Sequence, residues 1–232
     1  MNPVTDNPMI HRIELIRKKG HLFVTLENEL FLIDTGAPKS FGKTPSIKLL
    51  EEDFKLPTDS LGLSAGTLSG YVGLETAGLL GTDILNHFDI LFDEKGHQLS
   101  ISRGELEGVG ESLVLDEFMG IPILAAGIAE RSARMFFDTG AQISYYQGDA
   151  LSDFPAMGSV EDFYPGIGQF STETHRVPIK LGSTDFNLCC GKLPPLLGLT
   201  LMMAETEGII GNEIMRERRV VYLPRRKRLF IS

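Results

Sequence analysis

The sequence contains no tryptophan and only two cysteines, adjacent at Cys189 and Cys190. Two neighbouring thiols cannot build a disulfide framework, so a reducing, cytoplasmic setting is the expectation. Nowhere do 18 or more apolar residues run together, which excludes a membrane-spanning helix, and no membrane partner is expected. The first twenty residues carry their basic cluster, Arg17–Lys19, after their apolar positions, the reverse of a secretory signal. The five histidines have no His-x-x-x-His spacing and the cysteines no Cys-x-x-Cys spacing. No metal site and no cofactor is therefore expected. What is present is an ordinary globular balance, 42% apolar and 23% charged over 232 residues, enough for one larger domain or two small lobes.

The net charge of −9 argues against general nucleic-acid binding. It is uneven, because residues 216–228 hold seven basic residues against Glu217 alone, leaving −15 for the rest. The apolar groups Val220-Val221-Tyr222 and Leu229-Phe230-Ile231 make this stretch a hairpin turning at Pro224 rather than a nucleic-acid patch.

The chain repeats itself. Phe31-Leu32-Ile33-Asp34-Thr35-Gly36-Ala37 returns 104 positions later as Met135-Phe136-Phe137-Asp138-Thr139-Gly140-Ala141. Gly78-Leu79-Leu80-Gly81 returns 130 positions later as Gly208-Ile209-Ile210-Gly211, and Leu99–Ser102 returns at the same offset as Leu229–Ser232. Three echoes in one order indicate a duplicated unit, residues 10–105 and 112–232. The change of offset places about 26 additional residues in the second copy, between its two motifs.

Within each copy the pattern is β-rich. His21–Leu26 and Leu30–Ile33 read as strands, as do Phe88–Phe92 and Gln98–Ser102. Ile47–Phe54 is a helix candidate, and Ile84–His87 and Ile214–Arg216 read as single helical turns. The 25 glycines and 12 prolines punctuate many short strands, as all-β barrel or sandwich lobes require. Residues 103–112 form the linker and residues 1–9 a loose tail.

A carboxylate that ends an apolar strand and precedes Thr-Gly sits in a sharp turn where the glycine amide can donate to it. Two such aspartates on equivalent strands can meet across a pseudo-twofold axis. Two adjacent carboxylates cannot both ionise cheaply, so they share a proton and form one acid and one base about a water. Peptide hydrolysis by that pair requires neither a metal nor a covalent intermediate.

The paired Asp-Thr-Gly motifs, each followed by an apolar-apolar-Gly motif (Leu79-Leu80-Gly81 and Ile209-Ile210-Gly211), resemble the aspartic proteases of the pepsin and retropepsin type. The resemblance covers about three-quarters of the chain. It implies an acid-protease fold of two pseudo-twofold-related β-barrel lobes with few short helices, and an aspartic endopeptidase acting on peptides or proteins. It implies Asp34 and Asp138 as the catalytic pair, with Thr35, Gly36, Thr139 and Gly140 supporting their loops. Ala37 and Ala141 after the motif are similar to retropepsins, whereas both lobes in a single chain are similar to pepsins and imply activity as a monomer. Without a hydroxyl at 37 and 141, an optimum at weakly acidic to near-neutral pH is expected.

The family closes its cleft with a hairpin flap, for which the sequence offers two segments. Gly62–Gly70 contains Ser64, Gly66 and Thr67; Tyr164–Phe170 contains Tyr164, Gly166, Ile167 and Gly168, and its Gly-Ile-Gly-x-Phe is similar to retropepsin flaps. Gly62-Leu63-Ser64-Ala65-Gly66 also spells the Gly-x-Ser-x-Gly nucleophile elbow. That motif needs a strand before it and a helix after it, and a glycine-rich stretch follows instead. The alternative to a peptidase is a catalytically silent peptide-binding or scaffold protein, which retention of both aspartates, threonines and glycines disfavours.

Overall fold

A computed structural model describes residues 10–165 and 167–232; the tail expected at 1–9 lies outside the described residues. The chain is mostly β. The first copy runs through β1 (Ile10–Lys18), β2 (His21–Leu26), β3 (Glu29–Ile33), β4 (Phe41–Gly42), β5 (Ser46–Leu49), β6 (Glu52–Lys55), β7 (Asp59–Ser60) and β8 (Leu63–Ser64). It continues as helix α1 (Ala65–Val72), β9 (Gly78–Leu80), the single turn α2 (Thr82–Leu85), β10 (Asp89–Asp93) and β11 (Gln98–Ser102). The second copy opens with β12 (Glu111–Val114), β13 (Asp116–Phe118), β14 (Ile121–Ile128), β15 (Arg131–Phe137) and β16 (Ser144–Tyr146). It then adds the long β17 (Ala156–Tyr164), β18 (Gly168–Leu181) and β19 (Thr184–Gly191) before helix α3 (Pro195–Met203). It closes with β20 (Gly208–Ile210), β21 (Arg219–Leu223) and β22 (Arg228–Ile231). No helix among the described residues is long and apolar enough to cross a membrane.

Alternation along the strands serves two cores at once. In β2 and β3, Leu22, Val24, Phe31 and Ile33 enter a large cluster shared with the second copy. Phe23 and Leu32, on the opposite face, pack under α1 with Phe41, Leu68 and Leu79. The second copy repeats this arrangement: Phe136, Tyr145 and Ile209 pack under α3 with Leu197 and Leu201. Burial on both faces explains why these strands read as continuous apolar runs rather than alternating ones.

The copies are joined by a sheet. β21 pairs antiparallel with β10, matching Ile90 to Tyr222, Leu91 to Val221 and Phe92 to Val220. Leu91 and Val221 are 130 positions apart, the repeat offset, so equivalent residues face each other and a local twofold axis passes between them. The resulting sheet has ten strands in the order β12-β22-β21-β10-β11-β1-β2-β3-β9-β4. The second sheet has eight, β13-β14-β15-β20-β16-β19-β18-β17.

The hairpin expected at Pro224 is present as β21–β22, and three of its arginines are bound to acids. Arg225 and Arg226 converge on Asp89, which is fully buried, and Arg219 reaches Asp93 at 2.8 Å. The single turns expected after the glycine motifs appear as α2 and a 3₁₀ turn at Asn212–Met215. Residues 103–110 carry no strand or helix, whereas Glu111 and Ser112, the end of the stretch expected as linker, open β12.

The helix expected at Ile47–Phe54 is instead the β5–β6 hairpin. Ile47 and Leu49 are buried while Ser46 and Lys48, which alternate with them, are exposed, a period of two. Leu50 and Glu51 at the turn both take left-handed conformations, φ 46° and 64°, the geometry of a two-residue hairpin loop.

Candidate active site

Each Asp-Thr-Gly loop leaves the end of an apolar strand and is gripped from behind by the glycine motif of its own copy. β3 runs parallel to β9, and β15 parallel to β20, in the same relative register. The amide of Asp34 donates to Leu80 O and that of Asp138 to Ile210 O, each at 3.0 Å. Thr82 N donates to Ala37 O at 2.8 Å and Asn212 N to Ala141 O at 2.9 Å. Ser40 Oγ accepts from Gly81 N at 2.8 Å, as Ser144 Oγ does from Gly211 N at 3.0 Å. A Cβ on Gly78 would lie 2.1 Å from Phe41 O, and one on Gly208 2.0 Å from Tyr145 O. The glycine motifs thus admit β4 and β16 at backbone contact.

The two loops then hold each other. Thr35 Oγ1 accepts from Thr139 N at 3.0 Å and donates to Phe137 O at 2.7 Å. Thr139 Oγ1 accepts from Thr35 N at 3.0 Å and donates to Ile33 O at 2.8 Å. Both threonines are fully buried, so these four hydrogen bonds have no water to replace them.

This seam brings Asp34 and Asp138 together at the floor of a cleft that both line. Asp34 accepts from Gly36 N at 2.8 Å; Asp138 accepts from Gly140 N at 2.8 Å and Ala141 N at 3.1 Å. A hydrogen bond joins the two carboxyl groups. Loss of water around the pair raises Asp34 well above the ordinary carboxylate range, and the Asp138 charge and the shared hydrogen bond raise it further. Asp138 is also raised by burial, but the hydrogen bond from Asp34 and the Ala141 and Gly140 amides pull it back. Both carboxyl groups are thus held above the ordinary carboxylate range, and the pair keeps one proton between them.

Gly36 and Gly140 are needed for a reason the local turn does not reveal. Neither has a positive φ. A Cβ on Gly36 would stand 2.2 Å from Cγ of Asp138, and one on Gly140 2.4 Å from Cγ of Asp34. Each glycine makes room for the carboxyl group of the opposite copy.

The cover comes from the second copy. β17 and β18 form a hairpin with Tyr164 opposite Gly168 and Ile167 N donating to Tyr164 O at 3.1 Å. Tyr164 lines the cleft, and its phenol is pushed up to about 12 by burial and then by the charges of Asp138 and Asp34. Phe163 stacks on Tyr71 of α1 at 5.0 Å, so the hairpin reaches across the dyad and rests on the first copy. Gly166 lies outside the described residues.

The other expected hairpin, Gly62–Gly70, is not one. Ser64 ends the two-residue β8 and caps α1, accepting from Thr67 N at 3.3 Å, so Ser64, Gly66 and Thr67 belong to a helix start. The first copy keeps only the short β7–β8 turn, from which Ser60, Leu61 and Leu63 line the cleft. A strand and a helix do flank Ser64, contrary to the expectation for the elbow motif. Its hydroxyl meets only Thr67 among the described residues, with no histidine beside it.

Sequence reasoning missed three further side chains at the site. Tyr145 and Asp162 line the cleft, with the Tyr145 hydroxyl donating to Asp162 Oδ2 and Phe163 N to Oδ1 at 2.8 Å. His21, buried beneath the second loop, places Nδ1 2.9 Å from Gly140 O. Ser40 and Ser144 were legible, because the repeat extends to Asp-Thr-Gly-Ala-x-x-Ser in both copies. Asp162 was not, since residue-by-residue correspondence between the copies is lost around it. No protein-family model matches the chain, and no curated protein does either.

Proposed function

We propose that this chain is an aspartic-type endopeptidase with an acid-protease fold, in which two lobes, residues 10–105 and 112–232, place one aspartate each on a shared proton. The observation that carries the reading is the reciprocal seam: each threonine bonds the opposite loop, and each glycine accommodates the opposite carboxyl group. Single carboxylates that merely cap turns have no need of that arrangement.

In this reading the ionised member of the Asp34–Asp138 pair accepts a proton from the attacking water while its protonated partner donates one to the peptide carbonyl oxygen. The roles then exchange as the tetrahedral intermediate collapses and the amine leaves. The β17–β18 hairpin is the flap, holding an extended peptide against the dyad and excluding water. A single chain supplies both aspartates, so the active species is a monomer.

The test is cleavage of casein and of a synthetic peptide mixture by the parent protein and by Asp34→Asn and Asp138→Asn. Each substitution should abolish cleavage while preserving the circular dichroism spectrum, and a statine-type transition-state mimic should inhibit the parent. Cleavage at the parental rate by either variant refutes the dyad. Peptide binding without cleavage at any pH indicates a silent binding protein instead.

A further inference from the structure

The internal duplication supplies a comparison that exposes where the two halves of the cleft differ. Phe41 and Tyr145 are equivalent residues, each seven positions after its aspartate and each opposite the first apolar residue of its glycine motif, Leu79 and Ile209. Around Phe41 the first-copy half is lined by the apolar Leu32, Leu63 and Leu79, with Ser60 and Lys39 as its polar members. In the second-copy half the equivalent of Phe41 carries a hydroxyl, and that hydroxyl is bonded to a carboxylate on the flap strand, Asp162.

Asp162 is 8% exposed, and its hydrogen-bond donors are both neutral, the Tyr145 hydroxyl and the Phe163 amide. Each oxygen has one donor and keeps acceptor capacity. The titratable groups around it are Tyr145 from β16, His21 from β2 and Asp138 from the catalytic loop; His21 directs Nδ1 to Gly140 O. Lys39, the lysine that lines the cleft, stands on the first-copy side, 3.9 Å from Asp83. A carboxylate on an apolar wall with no bonded cation attracts a positive group far more strongly than a neutral one of the same shape.

Resting on the peptidase reading, we propose that Asp162 makes the second-copy half of the cleft a pocket for a lysine or arginine side chain adjoining the cleaved bond, while the first-copy half takes an apolar one. Tyr145 positions the carboxylate. The substrate class is therefore a peptide with a basic residue on one side of the scissile bond and an apolar residue on the other.

The experiment uses the full chain near neutral pH and reads cleavage sites in an unbiased synthetic peptide library by mass spectrometry. Lysine and arginine should be enriched on one side of the cleaved bond and apolar residues on the other. Two peptides differing only by lysine against norleucine, which keeps the methylenes and lacks the ammonium, should differ in kcat/KM by about thirtyfold. That ratio should fall close to one in Asp162→Asn, with the apolar preference on the other side retained. Cleavage by the parent with no preference for lysine over norleucine overturns the inference and leaves the peptidase reading standing, whether or not the variant folds. A ratio unchanged in Asp162→Asn overturns it too. A parent protein that cleaves nothing overturns the peptidase reading and the inference with it.

Discussion

Replacing Thr35 by valine tests the seam directly, because the two side chains have nearly the same shape and differ by the hydroxyl. Removing Oγ1 leaves Thr139 N without its acceptor at 3.0 Å and Phe137 O without its donor at 2.7 Å, both in a fully buried region. Each stranded polar group costs about 2 kcal/mol, so the pair costs about 4 kcal/mol. In a chain of this size that lowers the unfolding midpoint by roughly 8–16 °C. Thr35→Ser keeps the hydroxyl and loses one methyl group, so it should lose only about 1 kcal/mol. The assay is thermal unfolding of the three proteins by calorimetry, with peptide cleavage measured in parallel. The seam also fixes the separation of the carboxyl groups, so kcat should fall in Thr35→Val with KM little changed. A valine variant that melts with the serine variant would refute the reasoning. Thr139→Val should behave alike, since Thr139 Oγ1 serves Thr35 N and Ile33 O in the same way.

Further outcomes follow from the same geometry. Gly36→Ala should abolish cleavage, because its Cβ would fall 2.2 Å from Cγ of Asp138, whereas Gly70→Ala in α1, with nothing within 4 Å, should stabilise by up to about 1 kcal/mol; calorimetry and peptide cleavage of both separate site from scaffold. The pH–rate profile should be a bell whose acidic limb reports protonation of the dyad's one carboxylate and whose basic limb reports loss of the shared proton; both groups are raised, so a maximum below pH about 3 would contradict the shared-proton dyad. An acid whose folded value lies above its unfolded one loses stability as pH rises through that interval. Asp34→Asn should thus melt above the parent at neutral pH, with the difference vanishing near the ordinary carboxylate range, at most about 1.4 kcal/mol for each pH unit between. Arg225→Ala together with Arg226→Ala should cost about 3–5 kcal/mol in denaturant unfolding by leaving the buried Asp89 carboxylate without a cation, and either alone should cost less.

Much of the arrangement was written in the sequence because duplication makes short motifs readable. Asp-Thr-Gly alone is three common residues; two copies, each followed by apolar-apolar-Gly, define a strand, a loop and the strand that grips it. Local rules were also sufficient for the β21–β22 hairpin and for the single turns after Gly81 and Gly211. They failed where the same local pattern suits two structures. Ile47–Phe54 satisfies helix and hairpin alike until Leu50 and Glu51 adopt positive φ, and Gly62–Gly70 reads as a flexible hairpin until Ser64 caps a helix.

The sequence by itself determined that two equivalent carboxylates exist, what chain conformation presents each, and that a mostly β chain carries them. Only the tertiary structure decided how the copies meet. The pairing of Leu91 with Val221, the exchange of threonine hydrogen bonds and the room each glycine leaves for the opposite carboxyl group all span more than a hundred residues. So does the proton that the two carboxyl groups share, because burial in the seam raises both of them. Local conformation follows from neighbouring residues along the chain, but proton affinity and substrate contact depend on what is nearby in space. Asp162 reaches the cleft only because the β17–β18 hairpin folds over it.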